Sequence, residues 1–163
     1  MVSVDILKVI LARLHSWIGE TCSFDALLCE VFGTCGVGTE HLITDLLSSL
    51  ETGQLTIRIL ADNEVVGLRG GYAVVPHSAR ELILLNEDWL ANATVSEIDA
   101  VLLEEIGHAI DRRLNGDRDT LGDEGERFSA LVRGERPPES AEVENDLVTV
   151  RWEGLELIAE ASA

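Results

Sequence analysis

The stretch Val101-Leu102-Leu103-Glu104-Glu105-Ile106-Gly107-His108-Ala109-Ile110-Asp111 sets Glu104, Glu105 and His108, with a glycine between, inside an otherwise apolar run. From Ser96 onward, Ile98, Val101, Leu102, Ile106, Ala109 and Ile110 recur at helical spacing. Ser96 reads as the N-cap, Asp99 as an acid in the first turn, and Asn115-Gly116 as the stop. The sequence therefore predicts a helix from Ser96 to about Leu114. On it Glu104 and His108 lie one above the other, about 6 Å apart at their stems, with Glu105 turned about 100° round the axis. Gly107 inside a helix costs about 1 kcal/mol against alanine, which implies that another part of the chain comes close at that point.

This layout matches the zinc-peptidase helix H-E-x-x-H, in which residues four apart hold a metal and the intervening Glu activates water. Here Glu104 stands in place of the first His, giving E-E-I-G-H. A carboxylate binds zinc, and it makes the site harder and more negative. Further along, Asp123-Glu124-Gly125-Glu126-Arg127-Phe128-Ser129-Ala130-Leu131-Val132 fits a short second helix packed on the first, with Glu124 in its opening turn.

The two segments together resemble the gluzincins and the ImmA/IrrE-type peptidases, whose H-E-x-G-H is followed by E-A-N-x-F-A. Aligning Phe128 with that Phe places Glu124 at the position of the ligand Glu. The runs E-E-I-G-H-A-I-D and D-T-L-G-D-E-G-E-R-F-S-A-L-V also resemble a domain of bacterial and cyanobacterial RTX-type calcium-binding exported proteins, over about Gly70 to Ala163. The resemblance implies a zincin-like metallopeptidase domain of α+β class. Zn²⁺ would be held by Glu104, His108 and Glu124, with Glu105 as general base and a peptide or protein as substrate. The expectation is slow or selective hydrolysis, or a divalent metal other than zinc. The rival expectation is a non-catalytic module that keeps the fold and uses a degenerate or calcium-linked site.

Three other residues join the candidate list. Asp111, three residues beyond His108, reads as an acceptor orienting a ligand or as a partner of Arg112 or Arg113. Tyr72, the only Tyr, and His77 read as candidates for oxyanion stabilisation, His77 also for a missing ligand. Asp117, Asp119, Gly122 and Asp123 sketch a calcium loop. Leu121 and Phe128 fall at its fifth and twelfth positions, so an EF-hand is rejected and only an irregular calcium site is left open.

The rest of the chain frames these residues. At 163 residues and 46% apolar, the chain is long enough for one cored domain. Thirty acidic against twelve basic residues, a formal charge of −18, argue against nucleic acid and anionic membranes as partners. The apolar runs are too short and too charged for a membrane span. The N-terminus lacks a secretory signal, which leaves a cytoplasmic protein or one exported without a cleavable signal, and the resemblance to RTX-type proteins implies a bacterial source and keeps that export route open. Oligomeric state is open. Cys22, Cys29 and Cys35 are odd in number and not at zinc-knuckle spacing, and are expected to be thiols rather than a disulfide.

A helical front is expected over residues 1–53: Val2 to Ile18, Phe24 to Val31 ended by Gly33, and Thr39 to Leu50 stopped near Gly53. Cys35-Gly36-Val37-Gly38 reads as a flexible turn. Residues 55–134 carry strands and the two helices. Leu55 to Leu60 alternates and is β-branched. Val65 to Leu68 extends, Tyr72 to Val75 ends at Pro76 at an edge or strand end, and Glu81 to Leu85 is a further strand. A small mixed or antiparallel sheet results, with a short helix or turn at Asn86 to Ala93. Residues 147–161 form a closing hairpin around Glu153-Gly154.

Overall fold

A computed structural model of the protein describes residues 8–12, 15, 23–35, 39–65, 67–116, 122–139 and 147–162. Most of the expected first helix, the Gly36 to Gly38 turn, Cys22, and Asp117, Asp119 and Leu121 of the calcium loop lie outside these residues. Residues 8–12 are helical, and Ile10 and Leu11 among them are buried. Helices α1 (Ser23–Phe32) and α2 (Thr39–Thr52) follow. Gly33 and Gly53, with φ of 68° and 72°, stand just past their ends, where the left-handed backbone favours glycine. Phe24, Leu28 and Val31 of α1 and Ile43 and Leu46 of α2 enter the main core.

Strands β1 (Leu55–Leu60), β2 (Gly70–Val74), β3 (Glu81–Asn86), β4 (Leu147–Trp152) and β5 (Leu155–Ser162) form one five-stranded sheet in the order β1-β3-β2-β5-β4. β1 runs parallel to β3 and every other pairing is antiparallel, so the fold is α+β with a small mixed sheet. β3 is buried along its length because both faces are covered. Ile83 and Leu85 join the helices in the main core, while Leu82 and Leu84 join a smaller cluster with Val65, Val150, Trp152 and Leu157. The hairpin turn is Glu153-Gly154, both at positive φ, as a two-residue turn matched to strand twist requires.

Helix α3 (Glu87–Leu90) starts from Asn86, whose side chain accepts from the amides of Asp88 and Trp89. Helix α4 (Val95–Asn115) carries the E-E-I-G-H stretch across the sheet, and α5 (Glu124–Val132) packs on α4. α4 comes close to the sheet at Gly70, where an added Cβ would meet Val101 Cγ1 at 2.6 Å and Glu105 Oε1 at 2.9 Å. A Cβ on Gly107 would meet the Gly125 Cα of α5 at 2.9 Å. The close approach expected at Gly107 is thus the crossing of α4 and α5.

Three expectations are corrected. The N-cap of α4 is Thr94, not Ser96, and the first-turn acid is Glu97, not Asp99. Thr94 and Glu97 form a reciprocal capping box, which needs the longer carboxylate to reach back to the cap amide. Where Val65 to Leu68 was expected to extend, the described residues Val65, Gly67 and Leu68 lie in turns. Val65 N donates to Asp62 O and Leu68 N to Val65 O, and Gly67 sits at φ 77°. Cys29 and Cys35 form a disulfide, with Cα atoms 4.5 Å apart. The turn at Gly33 folds the chain back on α1. Thr34 Oγ1, donating to Asn115 Oδ1, and Asn115 Nδ2, donating to Phe32 O, fix that turn to the end of α4.

Candidate metal centre

Helix periodicity sets the inner face of α4. Val101, Glu105 and His108 recur at spacings of four and three, on the side that meets the sheet and α5. His108 is 1% and Glu105 0% exposed. The His108 ring lies against Gly125, where a Cβ would stand 2.5 Å from Nε2 and 2.6 Å from Cε1, so only glycine lets α5 close over the imidazole.

On its other edge the ring meets two carboxylates. Nδ1 lies 3.0 Å from Glu124 Oε1 and 2.8 Å from Glu160 Oε2, the latter reaching across from β5. Two residues along β5, Ser162 Oγ donates to Glu105 Oε1 at 2.5 Å. Glu105 Oε2 is buried and has no hydrogen-bond partner.

Ligand-capable atoms converge in two groups that share His108. One is Glu104, His108 and Asp123; the other is His108, Glu124 and Glu160; within each, the atoms lie within 4.8 Å of one another. Two members of the first group reach a cleft: Glu104 and Asp123, with Glu126 and Ser162, line a space of about 450 Å³ between α4, α5 and the end of β5, while His108 lies buried behind them. Neither Glu124 nor Glu160 lines it.

The charge states follow from burial and crowding. Burial pushes Glu104 up to about 7, helped by repulsion from Asp123 and opposed by His108 and Ser162. Burial raises Glu105 well above the carboxylate range, with His108 pulling it down and Glu104 pushing it up. Burial raises Glu124 too, against its bond to His108. For His108 burial opposes the charged form, but hydrogen bonds to Glu124 and Glu160 and the charge of Glu105 outweigh it, so its pKa rises well above the usual range. Five carboxylates thus crowd one imidazole. Nearby guanidinium groups are committed elsewhere: Arg113 binds Glu81, Arg133 binds Glu135, and Arg69 acts on Glu97.

The structure brings Glu104 and Glu124 to His108 in different groups, so the expected triad is divided between the two. Glu105 lies beside them, sealed by Ser162. Asp111 is buried and accepts from Asn115 Nδ2 at 2.7 Å, and its charge acts on Glu124. Tyr72 stands next to Glu160 in the β2–β5 register, but its hydroxyl donates to Glu81 Oε1 at 2.6 Å and burial holds its pKa far above normal. It is therefore not poised as an oxyanion donor. His77 is exposed in the β2–β3 turn, at the end of β2 away from Gly70, and does not enter the centre.

Glu160 and Ser162 were not singled out from the sequence, and Asp123 only as part of the sketched calcium loop, not as a partner of His108. Asp123 also caps α5 by accepting from Glu126 N, which is the local signal it offers. Glu160 and Ser162 share the strand face opposite the buried Ala159 and Ala161; a Glu and a Ser on the face turned to the helices were the available hint.

The chain matches no protein-family model, no curated protein and no solved structure. Among the described residues, no helix is long and apolar enough to cross a membrane.

Proposed function

We propose that this protein is a divalent-metal-dependent hydrolase of the zincin type, acting on peptide bonds. The observation that carries the reading is the set Glu104, His108 and Asp123, of which Glu104 and Asp123 line a cleft, beside the wholly buried, half-partnered carboxylate of Glu105. One imidazole with carboxylates is a donor set for zinc or manganese. Carboxylates this deeply buried call for a cation, because uncompensated buried charge is costly. A bound cation of this kind polarises a carbonyl and makes water acidic near neutral pH.

The residues divide the remaining work. Glu124 and Glu160 accept from Nδ1 of His108, fixing the ring so that its other nitrogen is the one offered to a ligand. Glu105, once released from Ser162, is the base that takes the proton of the attacking water and returns it to the leaving amine. Four acids, Glu97, Glu104, Asp123 and Glu126, against two bases, Arg69 and Arg133, leave the cleft lining net acidic, which favours peptides carrying basic residues.

The test is hydrolysis of a basic peptide library by zinc- or manganese-loaded protein. Glu105→Gln should lower turnover by about 10²–10⁴ while leaving metal content unchanged. Equal turnover in wild type and variant would sink the catalytic assignment.

One observation favours a second reading, a metal-bound module without catalysis: Glu105 has no exposed surface and Ser162 holds one of its oxygens. Under that reading the wild type binds metal and cleaves nothing, and Glu104→His restores turnover.

A further inference from the structure

The His108 ring belongs to two carboxylate groups rather than to one. Glu104 and Asp123 lie on the cleft side, Glu124 and Glu160 at the junction of α5 and β5, and only the imidazole belongs to both. We propose that the centre holds two divalent cations, one on each side of His108: an accessible one at Glu104, His108 and Asp123, and an enclosed one at His108, Glu124 and Glu160. This rests on the metal reading above and extends it to a second position on β5.

Three observations carry it. Glu124 Oε1 and Glu160 Oε2 both point at the same Nδ1, at 3.0 Å and 2.8 Å, where one hydrogen serves two acceptors. A cation in place of that hydrogen satisfies both carboxylates at once. Second, charge balance favours two: Glu104, Asp123, Glu124 and Glu160 carry four carboxylates, so one divalent cation leaves two of their charges unmatched, and two cations leave only the charge of the bridging imidazole. Third, Glu105, next to Glu104 and three residues before His108 on α4, has its Oε2 wholly buried without a hydrogen-bond partner.

The two positions differ in access. Glu104 and Asp123 line the cleft, so the first cation is open to substrate and exchanges readily. Glu124 is 2% exposed, and neither it nor Glu160, whose side chain keeps about a quarter of its surface (27%), lines the cleft, so the second lies away from the cleft, between helix and strand. There it ties β5 to α4 and α5, as a structural ion does. Binding at the second position displaces the Nδ1 proton to water, leaving the imidazole as a bridging anion.

The experiment is titration of chelator-stripped, untagged full-length protein with Zn²⁺, followed by calorimetry and elemental mass spectrometry. Two equivalents are expected in wild type. Glu160→Gln should retain the cleft-side equivalent alone, and Asp123→Asn the enclosed one alone. Circular dichroism confirms that each variant is folded, and Glu160 is exposed enough for Gln to be accommodated. Loading with Cu²⁺ adds a spectroscopic signature: two ions bridged by one imidazole couple magnetically, and Glu160→Gln should restore the isolated-ion spectrum. One equivalent in wild type, unchanged by Glu160→Gln, would overturn the second position while leaving the metal reading intact. No uptake of zinc at all would overturn both.

Discussion

Two buried charged sites sit on α4, little more than a turn apart, and they are built on opposite principles. At Arg113 the account is closed. Its NH1 and NH2 donate to Glu81 Oε1 and Oε2 at 3.0 Å and 2.6 Å, NH1 also reaches Ala109 O, and Tyr72 adds a hydrogen bond to Glu81. One cation meets one anion in bidentate geometry, with the remaining donors and acceptors satisfied. At His108 five carboxylates face a single imidazole, and one of their oxygens has no hydrogen-bond partner. A site that serves only the fold resembles the first. The second is completed by adding positive charge, which is why it reads as a binding centre.

The comparison breaks most visibly at Arg113. Arg113→Met strands Glu81 in the core and should cost about 3–5 kcal/mol, measured by urea denaturation, with metal affinity unchanged. If the protein loses metal instead, the two sites are coupled and the contrast fails. Gly125→Ala should come next. Its Cβ would stand 2.5 Å from His108 Nε2 and 2.8 Å from Glu104 O, so the ring and α5 must part. A loss of about 1–3 kcal/mol is expected from overpacking, here together with loss of metal binding.

Glu105→Gln should have the opposite sign. Gln removes the cost of keeping a buried carboxyl protonated in a crowded set, so the metal-free protein should gain about 1–2 kcal/mol, and the gain should vanish once metal is bound. A destabilised metal-free variant would show that Glu105 is a structural residue. The pH dependence carries the same sign. Glu104, Glu105 and Glu124 have folded pKa values raised above their unfolded ones, so the native state holds protons that the unfolded chain has released. The stability this gives is full below about 4.5 and is lost as pH rises, for Glu104 through about 7. His108, also raised, contributes fully below about 6.5 and loses its contribution as pH rises through its folded value. Metal-free protein should therefore melt at lower temperature at pH 8 than at pH 5, and zinc should reduce the difference.

The smallest effect lies away from both sites. Thr94→Ala should cost about 1 kcal/mol by removing the α4 cap, while Ser96→Ala should change thermal stability little.

What the sequence made legible was local. The Gly33 and Gly53 stops, the Glu153-Gly154 turn and the α4 period are each written within a few residues, and each stands where it was expected. Glu104, Glu105 and His108 were visible for the same reason, since an apolar helix advertises its charged exceptions. Contacts between distant segments were not legible. Glu160 meets His108 only because β5 pairs with β2 and α4 crosses that sheet. Cys35 meets Cys29 through a turn pinned by Asn115, far along the chain. The capping box of α4 was local but misread, because Ser96 and Asp99 offered the same spacing with a carboxylate one methylene too short.

The most direct measurement is the metal content of untagged protein, purified without chelator and read by elemental mass spectrometry beside His108→Ala. A transition metal at one or more equivalents in the wild type, absent from His108→Ala, is the predicted result. A wild type that carries no metal and takes up none on dialysis against zinc or manganese would contradict the account at its centre.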